Sequence, residues 1–394
     1  MGLEDDNQRV RIREVRFRSA EFPVDPPILM AHGALTRRAL ALVELVTDGG
    51  VSGLGETWVN YPAWAVTERR ATVEQGVAPL VTGQTLDLGA DPSAAIAGLV
   101  RRVASRLAPL ARQWGAPGPL QQALCGLEQA LWDLAGKHAG RPVADLLGRC
   151  RDRVGVYASG LGPHGRGVDV AEQVRSCRAE GFTAAKLRLG VDRATDQRTL
   201  RSARDAAGDE FELLADANQG WDLEEALRMA PLLRECGVAW VEEPVAGDRV
   251  ADLEEFHRRT GIPVATGENR YGPEAWDEAL RSPAVAVLQP DVSKTTGLAA
   301  LARLCGAASE AGKWVQPHLY GGAVALAATL QVAGARTGVT RVEFDVRANP
   351  ARDDVVQEPF RRDGAQALLP TGPGLGVALK DGVLGLLGSH GDRP

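Results

Sequence analysis

Asp216, Glu242 and Glu268 are acidic residues placed 26 positions apart, each at the end of a short apolar run. If those runs are neighbouring strands of one sheet, three carboxylates from successive strands point at one place. Three gathered anions repel one another unless a cation neutralises them. An all-oxygen donor set suits a hard ion, and Mg²⁺ binds through a few carboxylates while keeping positions for water and substrate. Any one of these acids could equally be a surface ion-pair partner or a helix cap; the shared spacing favours a metal site. Other polar residues close the remaining runs: Lys186-Leu187-Arg188, Asp216-Ala217-Asn218, Gln289-Pro290-Asp291, Gln316-Pro317-His318 and Glu343.

The elements that must position these residues begin near residue 150. Strands are expected near Val154–Ser159, Ala184–Leu189, Glu212–Asp216, Val238–Glu242, Pro263–Thr266, Val285–Gln289, Trp314–Gln316 and Arg341–Phe344. Seven helical patterns alternate with them, the rhythm of a β/α barrel, whose active site sits at the C-terminal strand ends. No eighth helix is marked after Phe344. Upstream, Val10–Phe17, Arg38–Val46 and Val51–Trp58 read as strands, the last two joined by the turn Thr47-Asp48-Gly49-Gly50. Helical patterns follow at Ala65–Pro79, Pro92–Leu110 and Pro119–His138. The fold class expected is α/β, a modified TIM barrel, (β/α)7β, with an N-terminal α+β cap. The expected units are a cap over 1–145, a barrel over 146–350 and a segment, 351–394, returning to the cap.

The motifs K-L-R, D-A-N, E-E-P, G-E-N, P-D-V-S-K and P-H, in this order, resemble the mandelate racemase branch of the enolase superfamily. The resemblance covers about residues 35–378 and is strongest between Ala184 and His318. It implies that Asp216, Glu242 and Glu268 hold Mg²⁺, and that Asp291 and His318 form a dyad whose imidazole is the base. It places Lys186 and Glu343 beside the substrate carboxylate, with Asn218 and Lys294 at further polar positions. The chemistry is removal of a proton alpha to a carboxylate, which creates an enediolate needing concentrated positive charge. An imidazole titrates near neutrality and suits the base role; a protonated Glu343 is expected to donate a hydrogen bond.

One position departs from the pattern. Arg188 stands where racemases carry a second basic lysine, and arginine stays protonated. A single-base reaction is therefore expected: His318 removes the α-proton, then protonates a departing β-hydroxyl. That makes the chain a hydro-lyase converting a sugar acid (aldonate or aldarate) to a 2-keto-3-deoxy acid. Arg188 then clamps substrate charge or pairs with a neighbouring carboxylate. The runner-up is a racemase or epimerase, and a non-catalytic binding barrel is the remaining alternative; a cycloisomerase is disfavoured by the histidine dyad.

Substrate choice is expected in the cap. Glu21–Thr36 is punctuated by Pro and Gly without clear periodicity, and Thr57–Trp64 is aromatic-rich, so both read as loops closing the barrel mouth. His32, Trp58, Asn60, Tyr61 and Tyr320 are the candidate substrate contacts. Gly160-Leu161-Gly162 lacks the context of a dinucleotide fingerprint. A net charge of −6 with no basic run excludes a nucleic-acid partner. Five scattered cysteines without a C-x-x-C pair indicate reduced thiols rather than zinc or disulfides. Neither a leader nor a membrane span is expected. The picture is a cytoplasmic homo-oligomer acting on a small carboxylic acid.

Overall fold

Period-two burial along the strands decides where the chemistry sits. In the computed structural model, which describes residues 8–31, 33–89, 91–115, 117–163 and 169–387, eight parallel strands form the barrel: β5 (Arg153–Leu161), β6 (Ala184–Arg188), β7 (Glu212–Asp216), β8 (Val238–Glu242), β9 (Val264–Thr266), β10 (Val285–Leu288), β11 (Trp314–Val315) and β12 (Val342–Asp345). Tyr157, Ala184, Leu214, Trp240, Ala265 and Val287 form one buried apolar cluster. Tyr157 and Trp240 meet edge to face at 6.0 Å. Side chains alternate along a strand. Two residues further on, the same face therefore carries Ser159, Lys186, Asp216, Glu242 and Gln289: the polar layer rests on an apolar plug. The alternate positions, Leu187, Leu213, Ala215 and Val241 among them, belong to the main core cluster.

Register fixes the layer. Arg188 pairs with Asp216 and Asp216 with Glu242. The ring closes where β12 runs parallel to β5, with Glu343 opposite Tyr157. Between β11 and β12 the closure is thin, with Thr340 N donating to Val315 O and Glu343 N to Pro317 O. Seven helices alternate with the strands: Val170–Ala179, Arg193–Ala207, Leu223–Glu235, Val250–Thr260, Pro273–Arg281, Gly297–Glu310 and Ala323–Ala335. After β12 comes a one-turn helix, Pro350–Asp353, and then a short hairpin, β13 (Arg362–Asp363) and β14 (Gln366–Leu368), that adds antiparallel to the start of β5. Beyond it, Leu375 N donates to Asp133 Oδ1 (2.8 Å), and Leu387 O accepts from Ser19 N.

The N-terminal sheet has strand order β3-β2-β1-β4, from β1 (Arg9–Met30), β2 (Gly33–Thr47), β3 (Ser52–Glu56) and β4 (Thr85–Asp87). The expectation of an irregular loop at Glu21–Thr36 is corrected, because β1 and β2 pair as one long ribbon through Met30↔Gly33. The prolines are tolerated because the register breaks between Pro23 and Ile28, so Pro26 and Pro27 take no place in the ladder. The sheet packs on the Pro117–Ala139 helix at contact distance. A Cβ on Gly55 would stand 1.9 Å from Gly126 O and 2.6 Å from Ala130 N, both backbone atoms that cannot give way. Gly55→Ala should therefore destabilise the protein by about 3 kcal/mol, read as a lowered thermal midpoint; an unchanged midpoint would show that the seam has slack.

Cap and barrel are joined by buried polar contacts. Glu56, at the end of β3, accepts from Gly322 N (2.6 Å) and Ala325 N (2.9 Å) at the start of the Ala323–Ala335 helix. Gln129 donates to both Glu56 O and Val292 O, each at 2.9 Å. These bonds hold the cap over the strand ends. No helix among the described residues is long and apolar enough to cross a membrane.

Candidate active site

At the C-terminal mouth the polar layer resolves into ion pairs. Lys186 Nζ lies 2.6 Å from Glu242 Oε2, 2.9 Å from Glu343 Oε1 and 3.9 Å from Asp216 Oδ2. Gln289 donates to Glu242 Oε2 at 2.7 Å. Asp216 accepts from Asn218 through its backbone N (2.8 Å) and Nδ2 (3.1 Å). Glu268 Oε2 is 2.7 Å from His318 Nε2 and 3.6 Å from Lys294 Nζ. On its other edge, His318 Nδ1 is 2.7 Å from Asp291 Oδ2. Asp291 is in turn fixed by Ser293, whose N and Oγ donate to its Oδ1 at 2.7 and 2.6 Å. This is the base-and-orienter geometry of a general base.

The expectation that the three carboxylates point at one place is corrected in one respect. Among the described residues, no three Asp, Glu, His or Cys side chains are gathered as they would be around a metal ion. The physical reason is visible in the pairs: each carboxylate has turned to an internal partner, Glu242 to Lys186, Glu268 to His318 and Asp216 to Asn218. They still share one field. Burial pushes Glu242 up to about 8, and Asp216, Glu343 and Glu268 add to the push against the pull of Lys186. Burial likewise raises Asp216, with Glu268 contributing, although Lys186 and Arg188 oppose it. Glu242 Oε1 is buried and accepts no hydrogen bond. A buried carboxylate oxygen without a donor, in a set of three oxygen acids that disfavour one another's charge, fits a divalent cation.

For the cations and the histidine, neighbouring charge outweighs burial. Burial alone would lower Lys186, but Glu242 and Glu343 hold it well above the usual lysine range. Burial would also lower His318, yet Glu268, Glu343 and the bond to Asp291 hold it well above an ordinary imidazole. Glu343 corrects the expectation of a protonated donor. Burial would raise it, but Lys186 and His318 hold it below the usual range. Its oxygens accept from Ser159 Oγ, from Lys186 and, at 3.1 Å, from Leu319 N, so it sits as an ionised acceptor.

Arg188 lies in the same layer, its Nη1 donating to Asn218 Oδ1 at 2.9 Å. Among the described residues it makes no contact ion pair. Lys294 Nζ donates to Asn269 Oδ1 (2.9 Å) and stands 4.3 Å from the Trp58 ring centroid. Asn60 Nδ2 donates to Tyr320 O at 2.8 Å, and the Tyr61 hydroxyl contacts Met30 Sδ. Tyr320 packs with Ile28 and Leu35 of the ribbon. Trp58, Asn60, Tyr61 and Tyr320 thus all lie along the seam between cap and barrel mouth; His32 lies outside the described residues.

Sequence reasoning gave no role to four contributors. Gln289 and Ser159 sit one period-two step above the apolar plug, a signal available from the strand pattern. Ser293 was visible only as part of P-D-V-S-K. Glu243 is held at φ 37, in the left-handed region, and accepts from Gln219 (2.5 Å), Asn269 (2.9 Å) and Thr266 (3.1 Å). Burial, with Glu268 behind it, pushes Glu243 up to about 7. The 26-residue spacing singled out Glu242, and E-E-P by itself gave Glu243 no role.

Residues 169–383 match the family model for the enolase C-terminal domain-like fold, and residues 12–148 that for the mandelate racemase / muconate lactonizing enzyme N-terminal domain. The chain belongs to the mandelate racemase/muconate lactonizing enzyme family of the enolase superfamily. It is 32% identical to the D-galactarolactone cycloisomerase of Agrobacterium fabrum over 95% of this chain and 98% of that protein. It is 27% identical to the arabinonate dehydratase of Saccharolobus solfataricus, over 87% of this chain and 89% of that one. A mandelate racemase/muconate lactonizing enzyme structure from Bordetella bronchiseptica superposes with a TM-score of 0.82 at 34% identity, covering 96% of this chain and all of the other. The relatives thus include both sugar-acid dehydratases and cycloisomerases, the latter a class that the sequence reading disfavours on the histidine dyad.

Proposed function

We propose that this protein is a Mg²⁺-dependent hydro-lyase that removes the α-proton of a sugar acid and expels its β-hydroxyl, giving a 2-keto-3-deoxy acid. The observation that carries this reading is the His318–Asp291 dyad beside Asp216, Glu242 and Glu268 at one barrel mouth, with His318 in contact with Glu268. Those three acids would hold the ion. When bound, Mg²⁺ supplies charge neutralisation for the carboxylate and for the enediolate that forms from it. Lys186, already between Glu242 and Glu343, adds a fixed cation to the same place, and Lys294 adds another beside Glu268. With Glu268 engaged elsewhere, Nε2 of His318 is free to take the α-proton, while Asp291 holds the opposite ring nitrogen. The imidazolium so formed then protonates the departing hydroxyl, and water leaves. The ribbon and Tyr320 cover the mouth and exclude solvent.

The test is incubation with Mg²⁺ and a panel of aldonic and aldaric acids, scored for 2-keto acid and for α-deuteration in D₂O. Neither product nor exchange from any acid would overturn the reading. A second reading, cycloisomerisation of a sugar-acid lactone, is favoured by the 32% identity to D-galactarolactone cycloisomerase. It uses the same proton removal with a ring oxygen as the leaving group, and lactone consumption without release of water separates the two.

Racemisation is disfavoured by Arg188. It is buried, and although burial would lower it, Tyr320 and Asp216 hold it above the usual arginine range. Arg188→Lys places a group that can give up its proton at that strand end. It should create measurable epimerisation of the α-carbon, followed by proton NMR of recovered substrate, and lower dehydration by about 10-fold through loss of the guanidinium fork. Epimerisation already present in the wild type would instead favour the racemase.

A further inference from the structure

Beyond Arg188 the mouth holds more positive charge than its neighbours consume. Arg38 lies on β2, Arg188 ends β6, and Arg347 lies two residues past β12. Arg38 and Arg188 both stack on Tyr320, their guanidinium carbons 4.4 and 5.5 Å from the ring centroid. Arg38 Nη2 pairs with Asp345. Nε and Nη1 of Arg38, Nε of Arg188, all three guanidinium nitrogens of Arg347 and the Tyr320 hydroxyl are buried without a hydrogen-bond partner. Leaving so many charged donors unmet is costly, and such groups in a native fold call for a ligand. Guanidinium groups only donate, so the matching ligand is an anion with accepting oxygens. Burial, followed by the repulsion of Arg188, pushes Arg347 down to about 10, against the pull of Asp345.

The backbone makes room for this cluster. A Cβ on Gly160 would stand 2.7 Å from Asp345 Oδ1 and 3.3 Å from Arg347 Nε, and one on Gly162 would stand 3.0 Å from the Arg188 Cβ. Gly160-Leu161-Gly162, which had no role as a nucleotide motif, lets two arginines lie against the end of β5. The cluster also adjoins the reaction centre. Arg188 bonds Asn218, which bonds Asp216. An acid held by one carboxylate near Asp216 would run past Arg188 towards Arg347. Ile28 and Leu35 of the ribbon close over Tyr320 at that end.

We propose that Arg38, Arg188, Arg347 and Tyr320 form a second anion subsite for the far carboxylate of the substrate, so that the acid is a dicarboxylate of the aldaric class. This rests on the sugar-acid reading above and narrows it. The measurement is calorimetric titration of the full-length Mg²⁺-loaded protein with matched pairs differing only at the terminal carbon. The pairs are galactarate and galactonate, glucarate and gluconate, and mannarate and mannonate, with 6-phosphogluconate as a further arm. The result expected is that at least one aldarate binds about 10-fold or more tighter than its aldonate. In Arg347→Met that preference should shrink to within about 3-fold. The ligand-free melting temperature of Arg347→Met should hold or rise, since the guanidinium has no partner to lose; a merely structural arginine would lower it. Equal binding of acid pairs by the wild type, an undiminished preference in the variant, or tightest binding of the phosphate ester would each overturn the subsite. The outcomes separate the two readings. An aldarate that binds by this rule without yielding 2-keto acid defeats the dehydratase and spares the subsite; turnover of both acids without preference does the reverse.

Discussion

Replacing His318 by alanine should lower the turnover number by about 10⁴-fold, the upper range for loss of a general base, while Mg²⁺ affinity changes by no more than a few-fold. The imidazole is joined to Asp291 at 2.7 Å through Nδ1, and the dyad stands beside the carboxylates rather than among them, except for the 2.7 Å contact with Glu268. Removing the ring leaves Glu268 paired with Lys294 and leaves Asp216 and Glu242 with their present partners. Binding and chemistry should therefore come apart. Exchange of the α-proton in D₂O should vanish together with 2-keto acid formation, because both need the same proton transfer. A variant that keeps near-wild-type turnover would remove His318 from the base role. One that keeps exchange but loses dehydration would leave proton removal to another group and restrict His318 to protonating the leaving hydroxyl.

Asp216 and Glu242 could be read from the chain because barrel strands punctuate themselves. VAWVE and ELLAD are apolar runs of strand length that end in an acid, and the period of two that buries Trp240 and Leu214 also carries Glu242 and Asp216 to the mouth. The ribbon was hidden for an equally local reason. Pro23, Pro26 and Pro27 erase the alternation of Glu21–Thr36, and only pairing with β2 across a register shift reveals that the strand continues. The ionisation of Glu343 was beyond the chain's own pattern, since it depends on Lys186, 157 positions away, lying 2.9 Å from Oε1. The same holds for the turning of three carboxylates towards internal partners. Residue type and spacing place a side chain at a strand end; which charge it faces is a property of the closed barrel. Arg347 shows the limit most clearly, because an arginine past the last strand looks like surface until Gly160 and Gly162 are seen to admit it and Arg188 to the same corner.

Glu242→Gln should weaken Mg²⁺ by more than about 100-fold, a larger loss than altering a group behind the ligands would give, and activity should fall in step. Glu242 is the most constrained of the three acids, with Oε2 shared by Lys186 and Gln289 and Oε1 buried without a donor. The amide keeps its shape and one accepting oxygen but gives up the charge that a cation would neutralise. Thermal melts read this directly. Mg²⁺ at 100 times its dissociation constant should stabilise the wild type by about 2.7 kcal/mol, and the same concentration should leave the variant almost unmoved. Without metal the order reverses. The Glu242 carboxyl is pushed up to about 8 by burial, from an ordinary value of 4.5. A carboxyl raised on folding costs nothing below the unfolded value and progressively destabilises as pH rises towards the folded one. Metal-free wild type should therefore lose stability relative to Glu242→Gln between about pH 5 and pH 8, whereas added Mg²⁺ should restore the wild type alone. A metal-free wild type as stable as the variant across that window, with equal responses to Mg²⁺, would mean that Glu242 is a partner of Lys186 and no ligand.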